Sequence, residues 1–395
     1  MMTQRNSFDE MMNYNLEKVY HTIVNRHPVS RIEIANQTGL HKMTVTNCVK
    51  KLLEAGLVCE VRQGEAAVGR PPILLELSER AGVFIGIEIN IISCKLLVAD
   101  MQGRILEKKI SGSMIRTPEL FVQKTAIFYH ACLKKYGDKK YGVVGIGIAL
   151  PGNYDDRGGT VEYISNMQNW NGFPLQAAFA AKLPGVPVMI QNAGRAGAKG
   201  EIAYGRSDPD EQLAYIHGAR GLALSLYSHD GVHVGERGFQ ARFGHMIIDV
   251  DGRQCVCGNR GCLEMYASVG AIGRALYPDR EMNQACLKDI FRRAEQPDEQ
   301  YRQVLQDTIH YLAIGIANII NCFNPKRICI GGYLGMLLEE DTAELNAAVN
   351  QLLLPCFRDD HKIFISSQGE WGAALGCTAT VRESLIKTVE KSGRE

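Results

Sequence analysis

Four residues in one short stretch have the types and spacing to hold a metal. In "HMIIDVDGRQCVCGNRGCLE" (245–264), His245 is followed by Cys255, Cys257 and Cys262. Thiolate and imidazole are the ligands zinc prefers, and four of them complete a tetrahedron. No position need then stay open for water, so a structural ion is expected in preference to a catalytic one. Gly258 and Gly261 allow the tight turns that such close ligands impose. The competing reading is buried structural cysteines beside a core histidine. A nucleophilic cysteine fits less well, because three close thiols more naturally share an ion. A DNA-reading zinc finger needs a ββα module with a helix carried by the metal, and this spacing does not supply one.

A second group has the chemistry to meet nucleic acid. In "HKMTVTNCVKKLLEAGLV" (41–58), Val45, Cys48, Val49, Leu52 and Leu53 form one apolar face at helical spacing. The other face keeps Lys42, Thr44, Thr46, Asn47, Lys50 and Lys51. The hydroxyls and the amide suit base edges or phosphates, and the lysines suit phosphates. Upstream, Leu16, Val19, Tyr20, Ile23 and Val24 mark a first helix over 14–26. Ser30 and Glu33 have the spacing of a capping box, and Gly39 suits the turn between helices. This order predicts a helix-turn-helix with recognition helix ~42–54. A plain helical hairpin with a solvated polar face is the alternative. Two apolar runs, 57–62 and 73–77, flank "QGEAAVGRPP" and predict a β-hairpin, which makes the unit a winged helix. Its tip places Arg70 in an extended Gly-Arg-Pro backbone, suited to a narrow minor groove. The bland reading is a Gly-Pro turn with a solvated Arg.

These candidates sit in a chain of 395 residues with a formal net charge of +1. The length predicts two or three domains. The charge excludes a polybasic binder, so any DNA contact must come from a local surface. No apolar run reaches the ~18–20 residues of a membrane span, and the polar start does not read as a secretory leader. Twelve cysteines without such a leader point to reduced or metal-bound thiols and a cytoplasmic protein. There is no low-complexity segment and no fixed-period repeat. After residue 80 the pattern becomes α/β. Three strands are expected over 82–110, a helix over 117–135 and a buried strand ending in Pro-Gly over 141–152. Helix, strand and helix follow over 175–205, a hairpin-rich stretch over 211–236, a long helix over 299–323, and strand, glycine turn and helix over 326–340.

The pieces "ALPG" (149–152), "IQNAGRAGAKGE" (190–201), "FGHMIIDVDGRQCVCGNRGCLEMYAS" (243–268) and "ICIGG" (328–332) resemble the ROK family of repressors, open reading frames and sugar kinases. The resemblance covers nearly the whole chain, and the preceding winged helix with "GRP" resembles the repressor branch. It implies a two-lobed, actin-like (ribonuclease-H-like) α/β fold with a cleft. It implies domains at 1–80 (winged helix-turn-helix) and 81–395 (effector sensing and oligomerisation, with a zinc loop at 245–262), joined by a coupling segment near 78–82. It also implies one structural zinc per chain that orders a loop beside a sugar cleft.

The resemblance to the kinases breaks at the residues that phosphoryl transfer needs. Where those enzymes carry an Asp-x-Gly-Gly-Thr phosphate loop, this chain has "EINIIS" (88–93), and the Ile91 and Ile92 side chains obstruct close phosphate approach. Where they carry an Asn-Asp pair with the catalytic base, this chain has Asn192 and Ala193, and a methyl group takes no proton. A regulator is expected, and not an enzyme. Of the family's sugar contacts, Asn192, His245 and Glu264 remain by position, while Arg242 stands where a Glu is usual. Three readings stay open: an unliganded pocket, an Arg242 that recognises an anion, and an Arg242–Glu264 salt bridge. Expected partners are double-stranded operator DNA, a carbohydrate-related effector and a second copy of the chain as homodimer or tetramer, with a regulatory protein in place of the small molecule as the alternative. Membrane insertion is not expected. A sugar kinase with an appended DNA module is the runner-up.

Overall fold

The computed structural model describes residues 2–62, 72–112, 117–164, 167–208, 211–228, 231–235 and 242–392. Helix α1 (Met2–Arg26) buries Leu16, Val19, Tyr20, Ile23 and Val24, the stripe expected from spacing. After β1 (Val29–Ser30) comes α2 (Arg31–Thr38). Its capping box is formed: Ser30 Oγ accepts from Glu33 N, and Ser30 N donates to Glu33 Oε2 at 2.8 Å. Gly39 then turns the chain at φ 68°. Helix α3 (Lys42–Glu54) buries Val45, Cys48, Val49 and Leu52 against α1 and α2. Strands β2 (Val58–Arg62) and β3 (Ile73–Leu77) pair antiparallel as the expected hairpin. β1 adds to β3 as a third strand that two residues could not announce by periodicity. The wing tip, with Arg70, lies outside the described residues.

The rest of the chain builds two five-stranded sheets of the same design. The first half runs β4 (Val83–Ile89), β5 (Cys94–Ala99), β6 (Ile105–Ser111), α4 (Pro118–Tyr136), β7 (Val143–Leu150), β8 (Asn153–Asp155), β9 (Thr160–Tyr163), α5 (Leu175–Lys182), β10 (Val188–Asn192) and α6 (Ala193–Tyr204). Its sheet order is β10-β7-β4-β5-β6, an antiparallel meander extended by two parallel strands. The second half opens on a meander of β11 (Leu213–Gly218), β12 (Leu222–Ser228) and β13 (Gly231–Val232). Four helices follow: α7 (Glu264–Ala267), α8 (Val269–Leu276), α9 (Gln284–Glu295) and α10 (Glu299–Phe323). Then come β14 (Arg327–Gly331), α11 (Gly332–Leu337), α12 (Thr342–Leu352) and β15 (Lys362–Ile365), giving the order β13-β12-β11-β14-β15. The chain therefore repeats a topology that left no periodic trace in its sequence.

Helix α13 (Gly372–Ser392) joins everything. All seven residues of β4 are buried. Strand geometry sends alternate side chains to opposite faces. Val83, Ile85, Ile87 and Ile89 enter the core under α4, while a Cβ on Gly86 would meet Ala374 O of α13 at 2.0 Å. The α6–α13 crossing is equally close, since a Cβ on Gly376 would lie 1.7 Å from Ala196 O. Farther along, Val381, Leu385 and Ile386 of α13 share one core with α1, α3 and β3. Tyr20 Oη donates to Arg382 O at 3.2 Å, and Arg382, wholly buried, donates to Met101 O at 2.9 Å. The expected coupling segment is itself tied down. Ser78 N donates to Leu57 O, and Lys140 N donates to Arg80 O.

Candidate effector cleft and metal site

Between the two sheets lies a cleft of about 430 Å³. Asn192, Arg242, His245 and Glu264, far apart in sequence, all line it. Each is set by its local backbone. Asn192 ends β10 and caps α6: its Oδ1 accepts from Gly194 N at 2.8 Å, and its Nδ2 donates to Gly152 O at 2.9 Å. Glu264 opens α7 and turns back under the β11–β12 turn, where Oε2 accepts from Leu222 N at 3.1 Å. A Cβ on Gly221 would come within 2.1 Å of that oxygen, so glycine is needed for the approach. Arg242 and His245 bracket a short 3-10 turn, Phe243–His245, whose Phe243 anchors it in the core. The Arg242–Glu264 salt bridge is not formed. Glu264 takes the Leu222 N–H instead, and Arg242 has no ion pair among the described residues. Burial lowers the Arg242 pKa while the nearby Glu264 charge pulls it back up. The group stays a cation throughout the accessible range.

The metal-ligand residues also converge. One ligand atom each from His245, Cys255, Cys257 and Cys262 all lie within 4.8 Å of one another. Cys255 Sγ is 3.7 Å from His245 Nδ1, and Cys257 Sγ is 3.6 Å from Cys262 Sγ. A tetrahedron with ~2.3 Å zinc–sulfur bonds has edges of about 3.8 Å, so the donor set fits such an ion. The three cysteines are free of disulfide bonds. The loop folds to bring them together. Cys255 N donates to Asn259 O at 2.8 Å, Arg253 N donates to Tyr266 Oη at 2.7 Å, and Ile247 bridges to Cys262. Gly261 is indispensable at φ 69°, because a Cβ there would sit 1.5 Å from Asp249 O. His245 and Cys257 belong to both the metal cluster and the cleft wall.

The phosphate end of the cleft is closed by its own chemistry. Asn90 Oδ1 accepts from both Ile92 N and Ser93 N at 2.9 Å, and Asn90 N donates to Ser93 O. The N–H groups of Asn90, Ile92 and Ser93 are thus spent on the loop itself. Behind it is a charge cluster that motif reading missed. Glu88, at the end of β4, receives Lys95 Nζ of β5 at 3.2 Å on Oε2 and lies 3.3 Å from His217 Nε2 of β11 through Oε1. Lys95 also donates to Glu370 O at 2.6 Å and sits 4.2 Å over the Tyr333 ring. Burial alone would raise the Glu88 carboxyl; Lys95 and His217 outweigh it and hold the group at about 2. The signal was present as Glu88 and Lys95 inside otherwise apolar strands, where a charge demands a buried partner. Also unforeseen are Arg220 and the Arg195–Asp156 pair at 3.3 Å on the cleft wall.

On α3, Lys42, Thr46, Asn47 and Lys50 are exposed and Thr44 half-buried. All five lie on one helix, as expected, and Thr46 Oγ1 donates back to Lys42 O at 2.9 Å. No helix among the described residues is long and apolar enough to cross a membrane.

The whole chain has relatives of similar length. It is 30% identical over 371 residues to the xylose repressor of Bacillus spizizenii, covering 93% of this chain and 94% of that protein. It is 25% identical over 396 residues to the DNA-binding transcriptional dual regulator NagC of Escherichia coli, covering 98% and 96%. Among solved structures, a ROK family transcriptional regulator, homolog of the E. coli MLC protein, superposes with a TM-score of 0.76 at 25% identity, over 96% of this chain and 99% of that one. A ROK family glucokinase from Streptomyces griseus superposes at 0.64 and 24% identity over 76% of this chain and 99% of its own, a likeness of fold. The ROK family pattern itself matches residues 84–384, and the chain belongs to that family.

Proposed function

We propose that the protein is a sugar-responsive transcriptional repressor that binds operator DNA through its winged helix and senses a carbohydrate-related effector in the interlobe cleft. The observation that carries this reading is the union in one chain of a helix-turn-helix unit, with the polar face of α3 free, and a cleft body sharing a core with it. Relatives named xylose repressor and NagC, matched over more than nine-tenths of each chain, support it. Lys42, Thr44, Thr46, Asn47 and Lys50 would contact DNA from the major groove, with Arg70 reaching the minor groove. Asn192, Arg242, His245 and Glu264 would face the effector. The DNA unit would end near residue 80 and the sensing unit continue to 395. A homodimer would match a two-fold operator, and the cell compartment would be the cytoplasm.

The body works without phosphoryl transfer in this reading. Ala193 offers no base, and the N–H groups of Asn90, Ile92 and Ser93 are already bonded. One zinc ion would be held by His245, Cys255, Cys257 and Cys262, supplying structural cross-linking of the loop. Those side chains then fix one wall of the cleft, and Phe243 and Leu263 carry that fixation into the core. An effector releases DNA only by binding the two conformations with different affinity. The α6–α13 crossing and the α1–α13 core give the cleft a packed route to the winged helix.

The test is genome-wide mapping of bound sites, followed by gel shift on the strongest site with neutral sugars and sugar derivatives added. Binding beside carbohydrate genes and release by one such compound is the expected result. Absence of any sequence-selective binding would overturn the reading, and ATP-dependent phosphorylation of a hexose would revive the kinase alternative.

A further inference from the structure

The cleft's charged residues divide into those already satisfied and those still able to bind. Glu88 is neutralised by Lys95 and bonded to His217. Asp156 pairs with Arg195. Glu264 accepts from the Leu222 backbone. Two cations remain on the wall nearest the metal loop. Arg242 precedes the Phe243–His245 turn, and Arg220 sits in the β11–β12 turn, next to the Gly221 that packs on Glu264. Neither has a hydrogen-bonded or ion-paired side-chain partner among the described residues. A guanidinium presents five N–H donors in a planar fork and no acceptor. A cleft offering two unsatisfied forks is complementary to a ligand rich in acceptor oxygens.

The surroundings set the size and polarity of that ligand. The cleft lining also includes Ile91, Tyr154, Ile164 and Met167, which suit the carbon face of a small ring. A loaded zinc tetrad of three thiolates and one imidazole would carry a net charge of −1. With Glu264 it would balance the two arginines electrostatically. The forks stay unsaturated as hydrogen-bond donors whatever the sum of charges.

We propose that Arg242 and Arg220 form an anion subsite, and that the effector is a sugar bearing a phosphate or carboxylate group and not a neutral sugar. This inference rests on the reading of the cleft as an effector site, and it names the class of that effector. Carboxylate and phosphate share the chemistry, so the two sources are separated by experiment.

Calorimetric titration of the full-length protein with inorganic phosphate reads the subsite directly. One saturable site is expected, weakened about tenfold or more in Arg242→Gln and in Arg220→Gln, with Arg242→Lys between them and the parent. Lys288→Ala, exposed on α9 and outside the cleft lining, serves as control and leaves it unchanged. Both arginines are solvent-accessible, and circular dichroism checks that the variants are folded. No saturable phosphate binding, or binding indifferent to both glutamine variants, would overturn the proposal. Gel shifts then compare xylose and glucose with a hexose 6-phosphate and a hexuronate. Release by the phosphate or by the uronate, lost in Arg242→Gln, supports the proposal and identifies the source. Release by a neutral sugar that persists in Arg242→Gln overturns it while leaving the effector reading intact. Phosphate binding without release by any compound leaves the subsite standing and removes the effector reading.

Discussion

Replacing Lys95 by methionine should be among the most damaging single changes in the protein, and its damage should depend on pH. Lys95 and Glu88 are each 1% exposed and 3.2 Å apart. At that distance the pair attraction is about 5 kcal/mol for an effective dielectric of ~20. Methionine keeps the length of the side chain and deletes the charge, so Glu88 is left buried with His217 as its remaining partner. Stranding one member of a buried pair costs about 3–5 kcal/mol. For a body of this size that lowers the thermal midpoint by about 5–8 °C. In the parent, the Glu88 carboxyl is held at about 2, below its ordinary 4.5. Its contribution is therefore fully present above pH 4.5 and is lost as pH falls through 2. Without Lys95, burial dominates and the carboxyl rises above 4.5. The variant then takes up a proton on folding and gains relative stability as pH falls through the raised value. The gap between Lys95→Met and parent should be widest near pH 7–8 and narrow below pH 5. Adding Glu88→Gln should recover most of the loss. Scanning calorimetry across pH 4–8 on the three proteins makes the measurement. A gap below about 1 kcal/mol, or one independent of pH, would refute the view that Glu88 depends on Lys95.

Four further outcomes follow from the same geometry. Asn47→Ala should weaken operator binding by about 1–3 kcal/mol and relax specificity at one base pair, whereas Lys50→Ala should weaken all sequences alike and reduce the salt slope by about 1, both read by fluorescence anisotropy over a salt series. Metal analysis should find about one zinc per chain, and Cys255→Ser should lose the ion and unfold earlier, since a structural zinc contributes directly to folding; full stability of that variant would count against the site. Ala193→Asp should restore no hexose phosphorylation in a coupled assay, because the 90–93 loop keeps its own N–H groups. Gly376→Val should yield little folded protein, as its Cβ would start 1.7 Å from Ala196 O.

What could be read in advance depended on how local the physics was. The capping box at Ser30 and Glu33, the αL turn at Gly39 and the apolar stripe of α3 are settled within a few residues, and they stand as expected. The convergence of His245, Cys255, Cys257 and Cys262 was legible because His and Cys at close spacing have few other uses. The cleft residues were legible only by resemblance, since nothing local brings Asn192 to Glu264. The Glu88–Lys95–His217 cluster was opaque for the same reason. His217 comes from the second sheet, and the partner of a buried charge is decided by tertiary packing. The two-residue β1, the β8–β9 hairpin and the doubled sheet topology were invisible because strand pairing leaves no mark on so short a run. Arg220 looked like an ordinary turn residue until the turn was seen to border the cleft.

The meeting of Tyr20 with Arg382, across 362 positions, also orders events in time. During synthesis the DNA-reading unit emerges first, but Val381, Leu385 and Ile386, which complete its core, emerge last. The same helix supplies Ala374 beneath β4 and Gly376 against α6. Contacts this distant in sequence are the slow ones to form. A chain interrupted before this helix would therefore lose the finish of the winged-helix core and the spine of the two-sheet body together. On the proposed reading, the winged helix and the cleft body would reach their final packing together.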